Sequence, residues 1–320
     1  MPVGLDDVRA AAGRIAGRVR RTPLLAAAPV HAPIAGAGQL DLKLENLQVT
    51  GSFKARGAMS KLTSLTPAAL ERGLITASGG NHGLGVAYAG WAAQAPATIY
   101  LPRSTPPAKA DKLKAWGARV EIHGAVWDDA NAEALREAQA AGLTYVHPFA
   151  DPAVIAGQGT TALEILEDAP DTDVLVVAIG GGGLIAGIAA AAKALKPGIT
   201  VIGVEPTGAP THYESRRAGR LVELAAIQTE AGTLAPRRSE EINLELISRH
   251  VADIVLVSDE DMRAAARWLW FEFGIAAEMS GAAAVAALQA GAYVAAPGAR
   301  VCAIVCGAGT DGLDGGPAPA

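Results

Sequence analysis

Apolar and polar positions along the chain alternate between short continuous apolar runs and stretches with helical spacing, and from Gly73 onward the alternation is regular. Leu74 to Ala77, Ala97 to Leu101 and Arg119 to Ile122 read as strands, with helices at Leu84 to Ala93, Pro106 to Trp116 and Trp127 to Ala141. Val174 to Ile179 is a β-branched run of the kind that forms a central strand, and Thr200 to Val204, Val251 to Val257 and Arg300 to Val305 resemble it. Helices are expected from the Gly180 to Gly183 run to about Leu195, over Asp259 to Phe273 behind a Ser258 cap, and over Ser280 to Ala290. Such alternation predicts an α/β architecture with a parallel sheet covered on both faces.

The first third is less regular. Asp6 or Asp7 can cap a helix running to about Arg18, with Val8, Ala12, Ile15 and Val19 on one face, and Thr22-Pro23-Leu24 ends it. Leu40 to Leu44 reads as a short strand, and a helix follows Lys54 to about Leu65. Tyr145 to Phe149 reads as a crossing point, followed by a helix from about Val154 to Leu166. Thr207 to Arg249 mixes Pro, Arg and polar residues, with a strand at Leu221 to Leu224 as its one expected element. Gly307 onward reads as a frayed tail.

Length and composition add bounds. The 320 residues suffice for two domains, or one large α/β domain with an insertion, and half of them are apolar with only 4% aromatic. Alanine and glycine carry much of that count, which favours close helix-on-sheet packing. A net charge of −5 without a Lys/Arg stripe argues against nucleic acid as a partner, and Arg18, Arg20 and Arg21 read as a solvated last turn. Cys302 and Cys306, four apart in an apolar run, suit neither a disulfide framework nor a zinc site, so a reduced, cytoplasmic setting is expected. Charges at Asp6, Asp7, Arg9, Arg14 and Arg18 argue against a signal peptide. Val174 to Ala192 is uncharged and long enough to span a bilayer, but the glycines interrupt it, so no membrane is expected.

Candidate chemistry centres on Thr50 to Gly57, which places Lys54 at the start of a helix. Three small-residue loops follow predicted strands, at Ser78 to Gly83, Gly180 to Gly183 and Cys306 to Thr310. In a parallel α/β sheet such loops gather at the carboxyl ends of strands, where ligands bind. Free backbone N–H groups ahead of a helix make the tetraglycine an anion site, with phosphate its natural guest. Gly181, Gly183 and Gly187 with Glu205 also fit a dinucleotide fingerprint, which keeps a nicotinamide-dependent oxidoreductase as an alternative. The Ser78 loop suits a carboxylate. A phosphate cradle, a carboxylate cradle, an amine and a small polar loop are the set needed to hold an amino acid on pyridoxal phosphate.

These residues carry a resemblance. Lys43-Leu44-Glu45, Ser52-Phe53-Lys54-Ala55-Arg56-Gly57-Ala58, Ser78 to His82, His147-Pro148-Phe149, Ala156 to Thr160, Gly180 to Leu184 and Val204-Glu205-Pro206 together resemble the threonine/serine dehydratase and serine racemase family. That family lies in the tryptophan-synthase-β fold group of pyridoxal-phosphate enzymes. The resemblance implies fold type II: two open, twisted, mainly parallel sheets covered by helices, with residues 1–65 and 148–320 forming a large cofactor-binding domain and 66–147 a small inserted one. It implies that Lys54 is the Schiff-base lysine and α-proton base, that Phe53 packs on the pyridine ring and that Asn81 bonds the ring hydroxyl. Gly180, Gly181, Gly182, Gly183 and Leu184 would bind the phosphate, and Cys306 would face the ring nitrogen. Ser78, Gly80, Asn81 and His82 would surround the substrate carboxylate.

The activity so implied is β-elimination of L-threonine, L-serine or a related 3-hydroxy amino acid to a 2-oxo acid and ammonia, by a homo-oligomer, a homodimer in the simplest form. Amino-acid racemisation is the alternative within the family. Several positions depart from the family pattern. Gly79 replaces the second serine of racemases, which removes a second base; Leu84 stands where glutamine is common, and Cys306-Gly307-Ala308-Gly309 replaces Ser-Gly-Gly-Asn. Glu205 occupies one position of the family's divalent-cation site but Thr211 takes the other, so a metal is not favoured. Ala231-Gly232-Thr233 alters the usual Ala-Asp-Gly. The chain ends soon after Asp311, so a C-terminal regulatory domain and feedback by isoleucine are not expected.

Overall fold

Residues 3–313 are described by a computed structural model. Helix α1 (Leu5–Ile15) precedes strands β1 (Leu24–Ala26) and β2 (Gln39–Leu44), then α2 (Lys54–Thr63) and α3 (Pro67–Arg72). Next come β3 (Leu74–Ala77), α4 (Asn81–Ala93), β4 (Ala97–Leu101), α5 (Pro107–Ala115), β5 (Arg119–Ile122), α6 (Trp127–Ala141) and β6 (Thr144–Tyr145). The chain continues through α7 (Pro152–Asp168), β7 (Val174–Ala178), α8 (Gly183–Leu195), β8 (Thr200–Pro206), α9 (Thr211–Ala218) and α10 (Glu241–His250). It closes with β9 (Asp253–Val257), α11 (Asp259–Phe273), α12 (Met279–Gln289) and β10 (Arg300–Val305).

Two sheets result. One has six strands in the order β1-β2-β10-β7-β8-β9 and the other four in the order β5-β4-β3-β6. All pairings are parallel except β1 with β2. Every residue of β7 is buried, as a parallel strand covered on both faces requires. Small residues let helices approach closely: the helices α7 and α8 meet where Gly159 faces Gly187, and a Cβ on Gly187 would lie 2.2 Å from the Ile155 carbonyl oxygen. Among the described residues no helix is long and apolar enough to cross a membrane.

Helix α2 packs against α4 on one side and α7 on the other, so it links the elements around both sheets. Its anchor is a buried charge network. Arg56 donates through Nε and Nη2 to both oxygens of Glu45, at 2.8 and 2.7 Å, and through Nη1 to Glu164 at 2.7 Å. Lys43 Nζ donates to the other Glu164 oxygen at 2.6 Å and to the Thr22 carbonyl at 2.7 Å. Lys43, Glu45 and Arg56 are almost completely buried. Burial opposes the Arg56 charge, but the Glu45 and Glu164 carboxylates outweigh it and hold its pKa above the ordinary value. Two cations against two anions, with the remaining lone pairs hydrogen-bonded, is the arrangement in which desolvation is offset.

Four expectations need correction. Helix α1 is capped by Gly4, whose N–H donates to Asp7 Oδ2, and it stops at Ile15 because Gly17 turns left-handed at φ 71°. The Ser78 loop is shorter than expected, since α4 already starts at Asn81. No strand forms at Leu221 to Leu224; the wider stretch from Thr207 instead holds α9, a 3-10 turn at Gly232–Leu234 and α10. Helix α9 buries Thr211, His212 and Ser215, a polar face that leaves no apolar periodicity to read. Finally, the tail is anchored as far as Asp311: Gly307 bridges to Ser52, Ala308 to Ala277, and Asp311 Oδ2 accepts the Met279 N–H at 2.7 Å. The remainder of that predicted tail lies outside the described residues.

Removing Arg56 strands the buried Glu45 carboxylate and leaves the partly buried Glu164 with Lys43 alone. Arg56→Met is expected to lower the unfolding free energy by about 3–5 kcal/mol, read from denaturant unfolding; an unchanged midpoint would contradict the network's role.

Candidate active site

Lys54 is the first residue of α2, and the turn before it is fixed at both ends. Gly51 (φ 87°) turns the chain, its carbonyl accepts the Ala308 N–H at 2.7 Å, and the Phe53 N–H reaches the Cys306 carbonyl at 3.3 Å. The lysine turn is therefore tied to the end of β10. Lys54 Nζ donates to the Pro148 carbonyl at 2.6 Å and stands 5.2 Å from the centre of the Phe53 ring. Desolvation lowers its pKa to about 8, against an opposing pull from Cys306 and Glu278.

The tetraglycine connects β7 to α8. Gly182 adopts φ 92°, a left-handed conformation that disfavours side chains, and a Cβ on Gly181 would sit 2.1 Å from the Phe149 ring. The Gly181 carbonyl accepts from Ser239 Oγ and Asn243 Nδ2, each at 2.8 Å, which turns it away from the helix start. The first N–H groups of the 13-residue α8 lack helical partners, and Leu184 lies in its first turn, so the loop can hold an anion. His212 is buried beside Gly182, and burial lowers its pKa to about 4.

After β3 come Ser78, Gly79 and Gly80. Ser78 Oγ accepts the Gly80 N–H at 3.3 Å, and Asn81 Nδ2 donates to Glu278 Oε1 at 2.7 Å. His82 turns inward: its Nε2 meets Thr76 Oγ1 at 3.1 Å and the Val146 carbonyl at 2.9 Å, and burial lowers its pKa to about 3. Its imidazole is thus committed beneath the loop, leaving its backbone N–H at the start of α4 for a ligand. Cys306 is buried at the end of β10 with Sγ 3.5 Å from the Ser280 carbonyl, and burial raises its pKa well above that of an ordinary thiol.

Glu205 serves another purpose. Its two oxygens accept the N–H groups of His212 and Tyr213, each at 2.8 Å, so it caps α9 from the end of β8. Burial raises its pKa to about 8, and those two hydrogen bonds pull the other way. Both oxygens are thus engaged at the start of α9. With Gly187 at the α7–α8 crossing, the dinucleotide fingerprint loses two of its parts.

Sequence reasoning missed Glu278 and Thr233. Glu278 Oε1 accepts from both Asn81 and Thr233, the latter at 3.3 Å, and desolvation raises its pKa. Its signal was a lone acid in the apolar run from Ile275 to Ala290; Thr233 entered only as part of the altered Ala231-Gly232-Thr233, without a role. A desolvated amine beside an aromatic ring, an anion cradle that a Cβ would fill and a neutral thiol fit the aldehyde, phosphate and ring nitrogen of pyridoxal phosphate.

The family model described as "Pyridoxal-phosphate dependent enzyme" matches residues 15–307. The chain is 41% identical over 286 residues to an L-threonine ammonia-lyase of Thermotoga maritima, covering 89% of this chain and 71% of that protein. It is 37% identical over 291 residues to the catabolic L-threonine dehydratase of Escherichia coli K12, covering 91% and 88%. Among solved structures, maize serine racemase superposes with a TM-score of 0.91 at 31% identity, covering 96% of this chain and 94% of that one.

In the ligand-free chain, labelling of Lys54 by trinitrobenzenesulfonate, followed by peptide mass spectrometry across pH, is expected to show a midpoint near 8; a midpoint near the ordinary 10.5 would contradict the desolvated site. The shift lies below the unfolded value, so its stability cost is full below pH 8 and is relieved as pH rises toward 10.5, where the unfolded chain holds more protons.

Proposed function

The chain belongs to the pyridoxal-phosphate-dependent enzymes, and we infer from its site that it eliminates water from L-threonine, L-serine or a related 3-hydroxy amino acid and, once water returns to the enamine, releases ammonia to leave a 2-oxo acid. The observation that carries this reading is Lys54, an amine with a pKa lowered to about 8, fixed between the Phe53 ring and the Pro148 carbonyl. An ordinary lysine would be protonated at neutral pH and unable to act as base or nucleophile; this one is deprotonated in useful amount.

When bound, pyridoxal phosphate supplies a covalent hold on the amino group and an electron sink that acidifies the α-carbon. Gly180 to Gly183 and Leu184 would hold its phosphate through backbone N–H groups and the α8 dipole. Phe53 would pack on the ring, and Asn81 would meet its hydroxyl. Cys306, kept as a thiol by burial, offers the ring nitrogen a neutral partner, which favours elimination over transamination. Ser78 Oγ and the N–H groups of Gly80, Asn81 and His82 would orient the substrate carboxylate at the start of α4. Lys54 Nζ would take the α-proton, the β-hydroxyl would take up one proton in turn and leave as water, so that no net proton is gained or lost, and the released enamine would take water back to give the 2-oxo acid and ammonia.

The racemase reading draws on the likeness to maize serine racemase. It lacks a base on the second face, because Gly79 has no side chain and the nearest atom to its missing Cβ is a Thr105 methyl at 3.2 Å. Residues 66–147, which carry the four-stranded sheet, would act as a small domain over a large one formed by 1–65 and 148–320. Half-exposed Trp270 and Phe271 and exposed Val294 offer apolar surface for a second copy, in keeping with a homodimer, which sedimentation would test, and two free buried cysteines suit the cytoplasm.

The purified protein is expected to be yellow and to release ammonia from a panel of 3-hydroxy amino acids, with Lys54→Ala losing both properties. D-serine formation from L-serine is expected to trail ammonia release by about 10²-fold or more, the usual contribution of a positioned base. Turnover retained in Lys54→Ala, or racemisation as fast as elimination, would overturn the reading.

A further inference from the structure

Ser239 and Asn243 lie 58 and 62 positions along the chain from the loop they touch, in the stretch whose pattern could not be read. Both are fully buried, Asn243 in the first turn of α10 and Ser239 just before that helix. Asn243 Nδ2 donates to two carbonyls, Gly181 at 2.8 Å and Phe149 at 3.1 Å, and Ser239 Oγ adds a second donor to Gly181 at 2.8 Å. The two segments so joined already interlock. A Cβ on Gly181 would lie 2.1 Å from the Phe149 ring, and one on Gly183 would lie 2.5 Å from the Phe149 carbonyl oxygen. Neither Ser239 nor Asn243 has a part in the mechanism above.

We propose that Asn243, with Ser239, is a positioning residue that sets the Gly181–Gly182 peptide so that its N–H points into the anion cradle, and that the grip on a phosphate is thereby decided from α10, outside the loop that makes the contact. A trans peptide holds its C=O and N–H on opposite sides. Drawing the Gly181 oxygen toward Ser239 and Asn243 therefore turns the Gly182 N–H away from them. That peptide lies between two glycines, whose backbones rotate with least hindrance, and a rotated unit would offer a carbonyl oxygen to the anion. Two donors on one oxygen oppose the rotation. A side-chain amide suits this task because its own sense is fixed: flipped, it would set Oδ1 against both the Gly181 and the Phe149 oxygens, so only its donor end fits between them. Neither the amide nor the hydroxyl titrates, so the clamp holds at any pH at which the chain is folded.

The inference rests on the reading of the site as a pyridoxal-phosphate site, and the test separates the two. Equilibrium dialysis measures how the chain freed of cofactor binds pyridoxal phosphate and pyridoxal, which lacks the phosphate, with and without Asn243→Ala. The substitution is expected to weaken pyridoxal phosphate about tenfold, the scale of the buried hydrogen bonds removed, and pyridoxal less than about twofold. Equal losses for the two compounds would show a merely structural role, and an unchanged affinity for pyridoxal phosphate would show none; either overturns the proposal. Should Asn243→Ala not fold, Ser239→Ala decides the matter, since it removes one donor to Gly181 and leaves the bridge to Phe149. A loss of about threefold confined to pyridoxal phosphate is then expected, and an equal loss or none overturns the proposal. If the unaltered chain binds pyridoxal phosphate no more tightly than pyridoxal, the proposal alone falls and the role of Lys54 stands. If it binds neither compound, the functional reading falls and this proposal with it.

Discussion

The bidentate bond between Arg56 and Glu45, extended through Glu164 to Lys43, is the constraint on which the site depends. Each of these charges would be costly to bury alone, so they are stable only together and only in one arrangement. That arrangement sets β2, the turn after it, α2 and α7 in fixed relation. Arg56 lies two residues after Lys54 on the same helix, so fixing the guanidinium fixes where the amine emerges. An apolar contact of similar volume could supply equal stability; what the network adds is a set of directional bonds between β2, α2 and α7.

Within the frame so fixed, burial drives the titratable groups of the site toward their neutral forms. Lys54 falls to about 8, His147 to about 4 and His82 to about 3, while Cys306 and Glu278 are pushed upward. The site therefore meets an anionic cofactor with oriented N–H groups at the starts of α4 and α8 instead of a cluster of cationic side chains. Such donors need no counter-ion and do not compete with Lys54 for protons. They also leave Lys54 as the desolvated amine of the site, whose basicity depends on how far its surroundings exclude water.

Much of this was legible in the sequence, for identifiable reasons. Strands such as Ala97–Leu101 and Arg300–Val305, and helix Asp259–Phe273 with its Ser258–Asp261 capping box, carry strong local patterns that tertiary contacts merely reinforce. The glycine loops and the lysine turn were readable because close backbone approach permits so few residue types. What escaped was set by partners distant in sequence. Helix α9 has a polar buried face completed by Glu205, so it showed no apolar stripe. Glu205 itself resembled a ribose or metal ligand because nothing local reveals that its oxygens cap that helix. Glu278 meets Asn81 across 197 positions of chain, and no spacing rule could join them.

The claim at the centre of this account is that a buried charge network presents Lys54, and no other lysine, as the amine that takes up the cofactor. Incubation with pyridoxal phosphate, reduction with borohydride and peptide mapping by mass spectrometry test it directly. The phosphopyridoxyl mass is predicted on the peptide carrying Lys54 in the native chain. A label spread over surface lysines such as Lys112 and Lys193, with Lys54 unmodified, would contradict it.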